Sequence, residues 1–254
     1  MTKNNNKNRK NNGVPQRNHK KFLLPASKLP VTEKMGDFRE TAQWRIFRIM
    51  SEFVDGFQFL ADFGPAVSIF GSARTTPNNV SYKEAQKLGN MLGKIGFTMI
   101  TGGGPGIMEA GNKGAYEAGA VSVGLNIQLP MEQRVNDYVT KAIGFHYFFT
   151  RKVMLSFASR AYVFFPGGFG TLDEFLEIVT LIQTKKIPPI IVVCVGKSFW
   201  QPFVDWMKET MYEKMSAVDK EDLDIYKVVD TADEAFKIIK ETLKKPAPLF
   251  GSNF

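Results

Sequence analysis

The sequence predicts an α/β chain, a doubly wound and mostly parallel sheet with helices on both faces. Three observations lead there. Short apolar runs such as Ala66–Phe70, Arg160–Phe165 and Ile190–Val195 alternate with stretches of helical apolar spacing. Three of the predicted strands run into loops of glycine and small residues: Gly71-Ser72-Ala73-Arg74, Gly102–Gly106 and Pro166–Thr171. With 254 residues and 44% hydrophobic content, the chain has the apolar material for one domain core of ordinary size.

Residues 1–34 are Asn- and Lys-rich, carry Pro15, Pro25 and Pro30, and lack the apolar content to fold alone. They are expected to be a disordered basic tail, with a single domain over residues 35–254. Asp37, with Glu40 three residues on, resembles a capping box. It opens a long helix over about 37–63, stopped by Gly64-Pro65. The stripe Phe38, Ile46, Phe47, Met50, Phe53, Val54, Phe57 and Leu60 reads most simply as core packing; a subunit interface is the other reading.

The alternation follows. Strand Ala66–Phe70 leads through Gly71–Arg74 to a helix over about Ser81–Lys94. Strand Phe97–Thr101 meets Gly102–Gly106 and a helix over about Ile107–Glu117. Strand Val121–Ile127 is followed by a stretch without a clear period as far as Gly144. His146–Phe149 is expected as a short strand feeding a helix over about Arg151–Ala158. Strand Arg160–Phe165 turns through Pro166–Thr171 into a helix with apolar Leu172, Phe175, Leu176, Ile178, Val179 and Ile182. Strand Ile190–Val195, a helix over about Phe199–Met211, strand Lys227–Val229 and helix Ala232–Leu243 close the pattern. Such a chain is Rossmann-like, and its ligands sit beyond the C-terminal ends of the strands.

Charge narrows the function classes. The net charge is +8, and residues 1–34 alone hold nine Lys/Arg against Glu33, so the rest of the chain is neutral. A general basic face for nucleic acid is therefore not expected on the folded body, although the tail suits a weak polyanion contact. Cys194 is the sole cysteine and lies in an apolar run, which suits a reducing, cytoplasmic setting. Phe22-Leu23-Leu24 is too short for a signal-peptide core, and no run is long enough to span a membrane.

Three glycine-rich loops at strand ends open on the same edge of a parallel sheet and converge on one ligand. The usual nucleotide motifs fail: position 107 is not the glycine that G-x-G-x-x-G requires, and no loop continues into G-K-[ST]. His19 and His146 are the only histidines, so zinc and Ser/His acyl transfer are not expected. What remains is a bare turn at a helix N-terminus, an anion site by its donors and dipole, with Asp173 and Glu174 in the following turn. These acids either complement the dipole or serve chemistry. Arg151-Lys152 either snorkels from a helix face or supplies cations to the same site. Glu132, Glu109 and Arg74 are further candidates, each with an alternative as an ordinary loop or helix-end charge.

Gly102-Gly103-Gly104-Pro105-Gly106-Ile107-Met108-Glu109, Arg151-Lys152 and Pro166-Gly167-Gly168-Phe169-Gly170-Thr171-Leu172-Asp173-Glu174 resemble the LOG (Lonely Guy) family. Its signature is P-G-G-x-G-T-x-x-E with an upstream R-K pair, and the resemblance covers roughly residues 65–235. It implies a Rossmann-like fold, homodimers or larger assemblies, and a phosphoribohydrolase activity. That reaction cleaves a cytokinin riboside 5′-monophosphate, or AMP, to free base and ribose 5-phosphate. By position, Arg151 and Glu174 would be catalytic. Gly167, Gly168, Gly170 and Thr171 would hold the 5′-phosphate, while Gly103, Gly104, Glu132, Lys152, Asp173 and Thr180 would complete the nucleotide pocket. No cofactor or metal is implied. A non-catalytic nucleotide-binding protein or a molybdenum-cofactor carrier of the same fold is the alternative.

Overall fold

The computed structural model describes residues 41–128 and 135–241. Strands β1 (Ala66–Phe70), β2 (Thr98–Thr101), β3 (Ser122–Ile127), β4 (Lys141–Phe145), β5 (Ala161–Phe164), β6 (Ile191–Val195) and β7 (Tyr226–Val229) form one sheet. Their order is β4-β3-β2-β1-β5-β6-β7, and every neighbouring pair is parallel. The chain winds outward from β1 to β4, returns to lay β5 against the free side of β1, and winds outward again to β7. The winding therefore reverses between β1 and β5, and such a reversal opens a crevice at the C-terminal strand ends.

Helices α1 (Ala42–Ala61), α2 (Val80–Lys94), α3 (Ile107–Glu117), α4 (Phe148–Phe157), α5 (Phe169–Gln183), α6 (Lys197–Trp206) and α7 (Ala232–Lys240) cover the sheet. On one face, Leu88, Leu92, Ile107 and Ile239 pack on Val67, Ile69, Val163 and Val193. On the other, Met154, Phe175 and Trp200 pack on Phe70, Ile100, Phe164 and Cys194. Adjacent residues of one strand thus serve opposite cores, which is why the strands read as unbroken apolar runs. Among the described residues, no helix is long and apolar enough to cross a membrane.

The structure departs from the sequence expectations in three places. His146–Phe149 is not a strand. β4 is Lys141–Phe145, inside the stretch with no clear period, and α4 already begins at Phe148. The β3–β4 pairing ends at Phe145, and the N–H groups of His146 and Tyr147 turn to the Glu52 carboxylate on α1 instead of a neighbouring strand. The stripe expected to pack in the core mostly faces outward: Ile46, Phe47, Met50, Val54 and Phe57 are exposed, and Gly56 is the fully buried residue of α1. Finally, α6 ends at Trp206 and continues as a wider π-helical segment over Met207–Lys214. The basic tail, the Asp37 capping box, Glu132 and the end of the last helix at Leu243 lie outside the described residues; α1 as described starts after Thr41, whose hydroxyl accepts from the Trp44 N–H at 3.3 Å.

Helices α2 and α3 meet backbone to backbone through glycine. A Cβ on Gly114 would stand 2.0 Å from the Gln86 carbonyl oxygen, and one on Gly89 would stand 2.5 Å from the Gly111 oxygen. Separating the helices would pull Ile107 and Ala115 from the core they share with β1. Gly114→Ala is therefore expected to destabilise the fold by about 3 kcal/mol through overpacking. Gly64→Ala, where an added Cβ meets nothing within 4 Å, is expected to change stability by less than about 0.5 kcal/mol. Urea unfolding of both variants against the parent measures the difference.

Candidate active site

Three loops meet at the reversal point, joined by the backbone of one residue. Ser72 donates its N–H to the Pro166 carbonyl at 3.0 Å, and its own carbonyl accepts from the Ile107 N–H at 3.1 Å. The loops after β1, β2 and β5 are thereby fixed to one another. Gly106, with φ +71°, is required here, because a Cβ would come within 2.3 Å of the Ser72 oxygen. The resulting cleft of about 850 Å³ is lined by Gly71, Ser72 and Arg74, by Gly102 and Met108, by Phe148 and Arg151, and by Pro166–Thr171 with Glu174. A volume of that order suits a small-molecule ligand. A smaller cavity of about 430 Å³ lies at the opposite end of the strands, between Phe57, Phe63, Phe157 and Arg160, and among the described residues no carboxylate lines it.

The floor of the cleft is the start of α5. Its N-cap is Gly168, and no side chain caps the helix. A Cβ on Gly168 or Gly170 would meet no protein atom within 4 Å, so neither glycine is demanded by packing and both leave the backbone bare toward the cleft. Gly167 differs: a Cβ there would collide with the Thr171 hydroxyl at 2.0 Å. Uncapped N–H groups at the positive end of a helix dipole attract an anion. Behind α5, Phe175 packs on Trp200 at 5.1 Å and on Phe164 at 5.5 Å, and Trp200 Nε1 donates to the Phe164 carbonyl at 3.1 Å. This aromatic group holds the helix start against the end of β5.

Glu174 sits one turn into α5 and is 5% exposed. Arg151, on α4, lies across from it with its guanidinium 4.9 Å from the Phe148 ring centre, and Nη1 is 3.4 Å from where a Gly102 Cβ would stand. No ion pair within 4 Å joins the two among the described residues, and Arg151 Nε and Glu174 Oε2 are buried without hydrogen-bond partners. Burial pushes the Glu174 carboxyl up to about 7; the Lys152 and Arg151 charges pull it back down, while Glu177 and Asp173 push it higher. Burial also lowers Arg151, opposed by the Glu174 charge, yet a guanidinium remains protonated in proteins. A buried acid and a half-buried cation, each with a buried atom whose hydrogen-bonding capacity is unfilled, face one cleft. Groups left in this state make the cleft a candidate functional site.

None of the remaining described candidates is among the residues that line the cleft. Lys152 points away from the cleft lining, to Asp173 at 2.5 Å and Glu177 at 3.3 Å. Burial opposes its charge, but Asp173, Glu174 and Glu177 together raise its pKa. Gly103 and Gly104 are tied from beneath, their carbonyls accepting from Asn136 Nδ2 at 3.1 and 3.0 Å. Thr180 is exposed further along α5, where its carbonyl accepts from the Thr184 hydroxyl at 2.7 Å. Glu109 accepts from the Tyr82 hydroxyl at 2.7 Å and serves the α2–α3 contact. Sequence reasoning missed Glu177, one turn past Glu174 on α5, which i, i+3 spacing places beside it. It also missed Asn126, fully buried at the end of β3 beside Gly103, with no partner for its amide among the described residues; a lone Asn in an apolar strand was the available signal.

The raised Glu174 carboxyl carries a stability consequence with a definite sign. Between an unfolded value near about 4.3 and the folded value of about 7, the folded state holds a proton that the unfolded state has lost. This contribution is therefore fully present below about 4.3, falls as pH rises to about 7, and is level above that. Its full size is on the order of 3 kcal/mol. Glu174→Gln should gain stability relative to the parent by about that amount between pH 4 and pH 8. Chemical denaturation of both proteins at the two pH values measures it, and other titrating groups cancel in the difference.

Comparison with known proteins fits this geometry. The family model described as "Possible lysine decarboxylase" matches residues 108–239, which include Arg151, the glycine turn and Glu174. The cytokinin riboside 5′-monophosphate phosphoribohydrolase LOG of Oryza sativa subsp. japonica is 27% identical over 155 residues, which cover 59% of this chain and 62% of that protein. The phosphoribohydrolase LOG1 of Arabidopsis thaliana is 31% identical over 111 residues, covering 42% of this chain and 51% of that protein. The chain thus spans less than two thirds of the length of both plant relatives. In fold it is similar to the molybdenum cofactor carrier protein of Chlamydomonas reinhardtii, with a TM-score of 0.55 and 23% identity over 71% of this chain and 99% of that one. With a family model matched over more than half its length, the chain belongs to the family described as possible lysine decarboxylases, the family of the LOG proteins.

Proposed function

We propose that the protein hydrolyses the N-glycosidic bond of a purine nucleoside 5′-monophosphate, AMP or a cytokinin riboside 5′-monophosphate, to free base and ribose 5-phosphate. The observation that carries this reading is the buried Glu174 and half-buried Arg151, each with a buried polar atom lacking a partner, facing a bare helix N-terminus across one cleft. In the reaction the C1′–N bond breaks with its electron pair leaving on the base, water adds its oxygen to C1′, and the base gains a proton. Positive charge develops on the ribose, and a carboxylate beside it stabilises that charge or orients the water. Glu174 has this role. Negative charge gathers on the departing purine, and Arg151 meets it or holds the nucleotide in place.

Gly167, Gly168, Gly170 and Thr171 would receive the 5′-phosphate, whose binding energy fixes the sugar against Glu174. Lys152 and Asp173 would act at one remove, as a charge pair beside Glu174. Glu132 and Thr180 are proposed to contribute at the nucleotide's periphery. A decarboxylase that used an amine to capture its substrate would need a lysine in the cleft, and none of the described residues that line it is a lysine. The reducing cytoplasm is the proposed setting, and the buried thiol of Cys194 suits it.

Incubation with AMP and with isopentenyladenosine monophosphate, followed by chromatography, is expected to show free base. Glu174→Gln and Arg151→Ala should each lower turnover on the order of 10²- to 10⁴-fold. Because Glu174 acts as the carboxylate, kcat/KM should rise with pH through about 7 and then level. Nucleotides that bind yet keep their base would replace this reading with that of a nucleotide-binding or molybdenum-cofactor carrier protein. We also propose a homo-oligomer, with the exposed apolar row Phe47, Met50 and Val54 on α1 as its contact. Sedimentation velocity should show a dimer or larger for the parent and a smaller species for Met50→Lys.

A further inference from the structure

Helix α4 carries Arg151 but does not cap itself. Its N-cap, Tyr147, makes no side-chain hydrogen bond, and the first helical bond, from the Arg151 N–H to the Tyr147 carbonyl, is long at 3.4 Å. The acceptor for this helix end comes from another element. The Glu52 carboxylate of α1 accepts from the His146 N–H at 2.7 Å, the Tyr147 N–H at 3.2 Å and the Thr150 hydroxyl at 2.5 Å. Thr150 is fully buried and directly precedes Arg151. One turn along α1, Gly56 lets the two helices touch: a Cβ there would stand 2.7 Å from Met154 Sδ. The carboxylate and the glycine contact together fix α4 along its axis and in rotation.

Arg151 depends on that fixing. Among the described residues no carboxylate lies within ion-pair distance of it, and its guanidinium lies over the Phe148 ring, on the same helix, and against Gly102. Where α4 places its backbone is therefore where the guanidinium goes. A carboxylate at a helix N-terminus takes unsatisfied donors and meets the positive dipole end. Removing it leaves the His146 and Tyr147 N–H groups without their acceptor, while the Thr150 hydroxyl keeps the Tyr147 carbonyl at 2.8 Å, and it loosens the turn that holds residues 147–151.

We propose that Glu52 is a positioning residue for Arg151, so that helix α1 is part of the catalytic apparatus although it touches no substrate. This rests on the proposed nucleotide hydrolysis, and two measurements separate the two ideas. The first is hydrogen exchange on the full chain. In Glu52→Gln, whose amide turns a donor toward donors, exchange over residues 146–152 should speed up at least about tenfold while the α2–α3 region keeps its protection. Unchanged exchange over 146–152 overturns the proposal whatever the protein does with nucleotides.

The second measurement is a double-mutant cycle read as AMP cleavage. Glu52→Gln should lower kcat/KM by about 10- to 100-fold, the scale of a small misplacement of a catalytic group. In an Arg151→Ala background the same change should cost less than about twofold, because the residue it positions is gone. Losses that multiply in the double variant overturn the proposal, since Glu52 would then support only the fold. Thr150→Val removes one of the three donors from the other side; it should show the same non-additivity, and it replaces Glu52→Gln should that variant not fold. Parent protein that leaves both AMP and isopentenyladenosine monophosphate intact defeats the functional reading, and the exchange result then decides alone whether Glu52 clamps α4.

Discussion

The site depends on the backbone of Ser72. With one N–H and one carbonyl it ties the turn after β5 to the loop after β2, across the strand that separates them. The tie is short because the winding reverses between β1 and β5, which makes those strands neighbours although their sequences lie far apart. Backbone bonds of this kind resist substitution of the side chain. What they do not resist is a side chain at Gly106 or Gly71, where an added Cβ would strike the Ser72 oxygen or Ile107. The glycines of the first two loops thus close the loops on one another, whereas Gly168 and Gly170 of the third leave space for a ligand.

From that junction the two faces of the sheet divide the work. The α2–α3 face supplies a rigid wall, fused by glycine contacts and by a buried network in which Asn112 joins Thr101 and Ser122 at 2.6 and 2.8 Å. The opposite face supplies charge, with Arg151 on α4 and Glu174 on α5. Holding one buried and the other half-buried without pairing them is unfavourable for the folded state, and the aromatic cluster of Phe164, Phe175 and Trp200 beneath α5 offsets part of that cost. The face that carries these charges is therefore also the face most densely packed with aromatic rings.

Much of this was legible in the sequence because strands buried on both faces are written as continuous apolar runs, and glycine collects where loops close. The strand β4 was not legible. Lys141-Ala142-Ile143-Gly144-Phe145 lies at the sheet edge, is largely half-buried, and carries a glycine and a lysine that dilute the pattern. The apolar row of α1 was legible as a row but not as a direction, since the helix docks through Gly56, a residue that contributes nothing to hydrophobic periodicity. Arg151 and Glu174 stood out as candidates beside the bare turn, and motif resemblance suggested their pairing; the burial of Glu174 and the partnerless atoms of both could not be read. Glu52 was invisible for a plainer reason: its partners lie 94 to 98 residues away, and a single acid within an amphipathic helix gives no sign of which donors it will meet.

The electrostatics of α5 follow from how its acids are shared out. Asp173, Glu174 and Glu177 occupy two consecutive turns, and one cation, Lys152, lies among them. Lys152 forms its ion pairs with the outer two, so it is spent before it reaches the third. Glu174 feels the ammonium charge but receives no hydrogen bond from it, and burial prevails, raising its carboxyl to about 7. Had Lys152 turned to Glu174 instead, the acid would be neutralised by a permanent partner and closed to any ligand. Asp173 and Glu177 thus act by occupying Lys152. They leave a carboxylate whose next favourable partner is positive charge arriving, or developing, in the cleft itself.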